Sequence, residues 1–369
     1  MMPELCENKA PRNRGIDALR ILATLMVLIL HVLNIGEVMN QLPPEGPAYW
    51  VCVTLFVGAF CAVNCYGLIS GYVGVYARYR YCKLISLWLQ IVFINLLGLG
   101  VAAFRRSLVP ADLWRAFFPL LHRSYWYFTA YCGLYFLLPV LNRGLRTLNP
   151  RQARALFWPL AILFSLLPTL TNADMFVTQV GYSVIWLVML YILGACIRQG
   201  QLFARAPGWA LLGSYCLSTG LSVLVRWLLR EEPFTLFQVS YHGNTLISYT
   251  APTILLCSIV LLVGFSRMNI SGKRSGSIIA ALAPTSFGIY ILHMQNDLRP
   301  LLFGLPLFGW IAEQNAVVVA LMVLLTALAL FLLCAAVEKL RQYLFRILRI
   351  QNALEKLESR LFGSLWAEK

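Results

Sequence analysis

Charge is what this sequence has least of. Asp, Glu, Lys and Arg make up 12% of its 369 residues, about half the share of a soluble domain. Hydrophobic residues make up 60%, with a mean hydropathy of +0.72. A soluble domain with a large buried core is therefore excluded, because apolar runs of 18 or more residues recur along the chain. Acidic residues are scarcer than basic ones, 15 against 30, giving a net charge of +15. In a soluble protein that excess would raise the question of nucleic acid. Here the cations sit in short clusters between apolar runs, so no nucleic-acid partner is expected.

Other absences narrow the reading. The ten cysteines form no Cys-x-x-Cys pair and join no histidine cluster, so no metal site is expected. Cys61 and Cys65, one helical turn apart, read as small buried hydrophobes like most of the others. No small-residue cleavage site follows the first apolar run, which therefore reads as retained. No internal repeat, low-complexity tract or additional soluble domain is visible.

What is present is an all-α integral membrane pattern of about ten transmembrane helices. The runs cover roughly 17–36, 48–72, 83–103, 124–142, 155–171, 181–197, 208–229, 245–265, 278–295 and 314–337. Pro159 and Pro168 predict a kinked or re-entrant fifth segment. The positive-inside rule orients the chain, with both termini cytoplasmic. On that side fall Lys9, Arg12 and Arg14, then Arg78, Arg80 and Lys83, then four arginines between Arg143 and Arg154. The outside connections 37–47 and 172–180 carry neither Lys nor Arg. One outside connection, 104–123, breaks the rule with Arg105, Arg106, Arg115 and Arg123. Either the topology there is less simple than a clean crossing, or these arginines meet an anion. Residues 1–337 read as one membrane domain. The stretch 338–369 reads as a basic amphipathic tail helix lying in the membrane surface or docked on a partner helix.

Candidate chemistry concentrates in the first run, Arg14-Gly-Ile-Asp17-Ala-Leu-Arg20 through to His31. Eleven residues at about 100° each make about three turns, so Arg20 and His31 leave one helix face about 16 Å apart along the axis. Intramembrane charges mark function by default, and histidine trades protons near neutral pH. His31 is therefore a candidate general base, while Asp17 and Arg20 also suit an interfacial i, i+3 pair. A second constellation is Ser70-Gly71 with Arg78, Arg80 and Lys83, which suits a phosphate-bearing ligand or plain anchoring. A third is the aromatic run Tyr125-Trp126-Tyr127, an interfacial belt or a stacking surface for a sugar or nucleobase. Arg226 and His293 are further intramembrane polar groups, both candidates for lining the bundle interior.

In this order these pieces resemble the acyltransferase-3 family of integral membrane O-acyltransferases. The carriers are the Arg14-to-Arg20 lead with an Arg-x10-His ending on His31, then Ser70-Gly71-Tyr72, then Arg80-Tyr-Cys-Lys83 with lysine where arginine is commoner. They continue with Tyr125-Trp126-Tyr127 running to Pro139 and Asn142, and end with Ser286-Phe-Gly-Ile-Tyr290-Ile-Leu-His293. The resemblance covers about residues 10–340. It implies transfer of an acyl group, usually acetyl from cytosolic acetyl-CoA or another acyl-CoA, to a hydroxyl of a carbohydrate or lipid-linked glycan. It implies His31 as general base or transient acyl carrier, Arg20 oriented by Asp17, and donor phosphates held by Arg20, Arg78, Arg80 and Lys83 beside Ser70 and Gly71. The acceptor would lie among Tyr125, Trp126, Tyr127, Arg226 and His293. No metal is implied.

The location implied is a cell membrane, multi-pass, of the bacterial plasma membrane, in modification of the cell envelope. With no extracellular hydrolase-like domain expected, the acceptor enters the membrane domain itself or a separate protein takes the acyl group onward. A homo-oligomer is a further partner to test. The competing reading is a polysaccharide or small-molecule exporter, which the lack of internal repeats disfavours.

Overall fold

The structure is a computed structural model, and it describes residues 12–362. Lys9 and the last residues of the expected tail lie outside the described residues. The described chain is helical apart from one two-stranded hairpin.

Helix α1 spans Arg14–Asn34 and starts where Asn13 accepts from the Ile16 N–H at 3.1 Å. That cap satisfies one of the donors a helix start leaves open. Helices α2 (Pro47–Ala59) and α3 (Ala62–Gly74) share the second apolar run, which breaks at residues 60–61. Then follow α4 (Tyr81–Ala103), the short α5 (Pro110–Phe117) and α6 (Trp126–Arg146). Next come α7 (Pro150–Ala161), a π turn (Ile162–Leu166) and α8 (Leu167–Thr171). The expected kink at Pro159 is thus a wide turn rather than a break. The missing proline N–H loosens the ladder, and the π turn restores it at the next residues.

Helices α9 (Val184–Gly200) and α10 (Gly208–Leu228) lead to strands β1 (Phe234–Leu236) and β2 (Val239–Tyr241), paired antiparallel. Helices α11 (Pro252–Ser266), α12 (Lys273–Leu282) and α13 (Ser286–Met294) follow. Two short helices, α14 (Arg299–Phe303) and α15 (Leu307–Ala312), fill the connection to α16 (Ala316–Ile347) and α17 (Ile350–Phe362). Each of the ten expected runs contains a helix. Among the described residues, seven helical segments are long and apolar enough to cross a membrane, and α6, α9 and α11 are not among them.

Helix α1 sits at the centre, packed on α2, α3, α11, α13 and α16, and its residues feed both large apolar clusters. Close approach elsewhere depends on glycine. A Cβ at Gly71 would collide with the Tyr191 carbonyl, and one at Gly194 with the Leu68 carbonyl, so α3 and α9 touch backbone to backbone. The buried Asn64 amide is paired at both ends: it donates to the Tyr249 carbonyl at 2.7 Å and accepts from the Trp186 indole at 3.0 Å.

Arginines gather the helix ends. Arg14 donates to the Ile270 carbonyl, Arg146 to Val75, Arg154 to Gly200, Arg198 to Tyr72 and Arg267 to Ala206. The last carbonyls of a helix lack intrahelical donors, and a cation there also meets the negative end of the dipole. The start of α1 and the ends of α3, α6, α9 and α11 therefore lie at one end of the bundle, as does α17, held by Arg80. At the opposite end, Arg106 pairs with Asp112 at 2.7 Å and with Asp297 at 3.2 Å. One of the four arginines that break the positive-inside count, Arg106, thus meets carboxylates of the chain itself.

Candidate active site

The face of α1 predicted to carry Arg20 and His31 lines a cavity of about 260 Å³, and both side chains reach it with Thr24 and Val27 between them. Their spacing along α1 follows the 3.6-residue period, so a continuous stripe of one helix forms one wall. The opposite walls come from Val63 and Tyr66 of α3, Trp126 and Tyr127 of α6, Tyr249, and the segment from Ala283 to His293.

At one end Arg20 donates to Asp17 at 2.5 Å. Asp17 is 1% exposed and also accepts from Arg12, so its charge is neutralised from two sides. Just inside, Thr24 donates to the Arg20 carbonyl at 2.8 Å and meets the Tyr66 hydroxyl at 2.5 Å. These bonds fix the wall beside the guanidinium. At the other end His31 Nδ1 lies 2.8 Å from His293 Nε2, and His293 Nδ1 lies 2.5 Å from the Ile289 carbonyl oxygen. His293 is fully buried. Tyr249 stacks with Trp126 at a ring distance of 6.1 Å and lies 5.0 Å from Tyr182, forming an aromatic side wall.

The cavity carries Arg20 at one end, apolar and aromatic side chains along its length, and the His31–His293 pair at the other.

Residues 13–337 match the profile of a family described as an acyltransferase domain. The chain belongs to the acyltransferase-3 family. It is an acyltransferase whose described residues include seven helices apolar and long enough to cross a membrane, as in a multi-pass membrane protein. Among curated proteins and among solved structures, nothing matches it.

Of the residues singled out in this acyltransferase from sequence, Arg20, His31, Trp126, Tyr127 and His293 line the one cavity, with Asp17 behind Arg20. Others lie elsewhere. Ser70 donates to the Tyr66 carbonyl within its own helix, and Gly71 is closed against Tyr191. Arg80 pairs with Glu355 at 3.4 Å and Glu358 at 3.1 Å on α17, Lys83 donates to the Arg78 carbonyl, and Arg78 is exposed. Tyr125 is buried and donates to Asn95 at 2.7 Å beside the Arg106 cluster. Arg226 contacts Asn244 and the Tyr49 hydroxyl and lines a separate cavity of about 410 Å³ near the hairpin.

Sequence reasoning missed Thr24, Tyr66 and Tyr249 as lining residues. Thr24 had a readable signal, lying one turn beyond Arg20 on the same face. Tyr66 and Tyr249 had none, since only packing brings them to α1.

Proposed function

We propose that the protein is a ten-crossing O-acyltransferase of the bacterial plasma membrane, with both termini cytoplasmic. It moves an acyl group, acetyl in the simplest case, from cytosolic acyl-CoA to a hydroxyl of a carbohydrate or lipid-linked glycan. The observation that carries this reading is that Arg20 and His31 line one elongated cavity, about 16 Å apart along α1.

In this reading Arg20 grips a donor phosphate, with the charge balance set by Asp17. Arg78 and Lys83 supply further positive field at the same end, whereas Arg80 joins only if α17 releases it. The acyl chain and thioester run along the aromatic wall toward His31. There the acceptor hydroxyl loses its proton to His31 as its oxygen attacks the thioester carbonyl. The C–S bond breaks, and the imidazolium returns the proton to the departing thiolate. Trp126 and Tyr127 offer faces against which a sugar ring can stack.

The test is release of CoA thiol from acetyl-CoA by the purified protein with glycan acceptors, read beside acceptor acetylation. His31→Ala should fold normally and lose transfer. Full activity in that variant ends this mechanism, and glycan transport into vesicles without acyl transfer would establish the exporter reading instead.

A further inference from the structure

His31 and His293 lie 262 positions apart and share one hydrogen bond, and their neighbours decide where its proton sits. His293 Nδ1 lies 2.5 Å from the Ile289 carbonyl oxygen. A carbonyl oxygen only accepts, so Nδ1 carries a hydrogen. In a neutral imidazole the other nitrogen is then bare and accepts. The 2.8 Å contact with His31 is therefore filled by a hydrogen on His31 Nδ1. That leaves His31 Nε2 bare, and among the described residues it has no hydrogen-bond partner, while the ring lines the cavity.

We infer that His293 is a positioning residue that locks His31 into the tautomer whose Nε2 lone pair serves the cavity, with the Ile289 carbonyl as anchor. The inference rests on the reading of His31 as the base. The anchor lies one turn back on α13, so the helix itself sets the angle of the His293 ring. Tyr290 and Phe303 flank that ring at 6.2 and 6.4 Å, and the side chain is fully buried. When the acceptor proton moves to His31 Nε2, the Nδ1–H stays bonded to His293 Nε2. A neutral imidazole thus holds the place that a carboxylate holds in a Ser-His-Asp arrangement.

Two measurements test this on the full-length protein. The chain has only four histidines, so ¹⁵N-histidine labelling yields few signals, and His31→Ala assigns the one that matters. His31 should show a protonated Nδ1 and a bare Nε2, and His293→Leu should abolish that pattern. The second measurement is thiol release from acetyl-CoA in membranes of the producing cells, where the native acceptor is present, with His31→Ala as blank. His293→Leu should lower kcat on the order of 10²-fold or more, with the acetyl-CoA KM within about twofold. His293→Gln, whose amide oxygen can accept from His31 Nδ1, should recover to within about tenfold of wild type.

Wild-type kcat in His293→Leu overturns the inference, as does a hydrogen on His31 Nε2 in the wild type. Equal loss in the Leu and Gln variants with the tautomer unchanged overturns it too. Full activity in His31→Ala would instead remove the base reading, while the nitrogen spectra still judge the tautomer.

Discussion

Arg20 and His31 on α1 face a void, while at the junction of α3 and α4 Ser70, Gly71 and Arg80 are engaged by protein and the exposed Lys83 donates to the Arg78 carbonyl. The two segments look alike in sequence: each sets cations and small polar residues at the edge of an apolar run. The difference lies in what surrounds them. Helix ends and nearby carboxylates claim many arginines first, because an unpaired carbonyl or charge at a membrane boundary is costly. Only a cation left beside a cavity is available to a ligand. Arg20 meets Asp17 yet still lines the cavity, whereas Arg80 spends its donors on α17.

Breaking this contrast should give its largest effect at His31. His31→Gln is expected to lower acyl transfer on the order of 10²–10⁴-fold, while Lys83→Gln in the same thiol-release assay stays within a few-fold. Comparable losses in both would mean the two segments share one site. Next is Gly71→Ala, whose Cβ meets the Tyr191 carbonyl. It should cost roughly 3 kcal/mol of stability in thermal unfolding while the folded fraction keeps its donor KM. A raised KM at unchanged stability would restore a phosphate-binding role to Ser70-Gly71.

Arg20→Ala should raise the acyl-CoA KM by about 10- to 100-fold, the worth of a charge-assisted bond of about 1.5–3 kcal/mol. Arg80→Ala, by contrast, should change it less than about threefold. Equal effects would place the donor against both cations.

The smallest effect concerns α17. Burial pushes the Glu358 carboxyl up, but hydrogen bonds from Cys82 and Arg80 hold it below the usual range. A carboxyl lowered in the folded state stabilises docking above its unfolded value and loses that contribution as pH falls through the folded one. α17 should therefore stay docked at neutral pH and become open to proteolysis below about pH 4. Glu358→Gln should flatten that acid limb, by less than about 1 kcal/mol because the ion pair is partly exposed.

Several features were legible from residue order alone. The apolar runs located every long helix, because a membrane span must satisfy its own backbone and advertises that as length and hydropathy. The period of α1 put Arg20, Thr24 and His31 on one wall, since within a single helix sequence distance is spatial distance. The order of motifs pointed to the family that the profile match then showed. Packing alone decided the rest. It brought His293 to His31 across 262 positions, and Glu358 to Arg80 across 278. It closed Gly71 against Tyr191 and turned Arg106 toward Asp297. No periodicity carries such pairings, because they depend on which helix faces meet. The same meeting of faces decides which of the many cations and histidines are left facing a cavity.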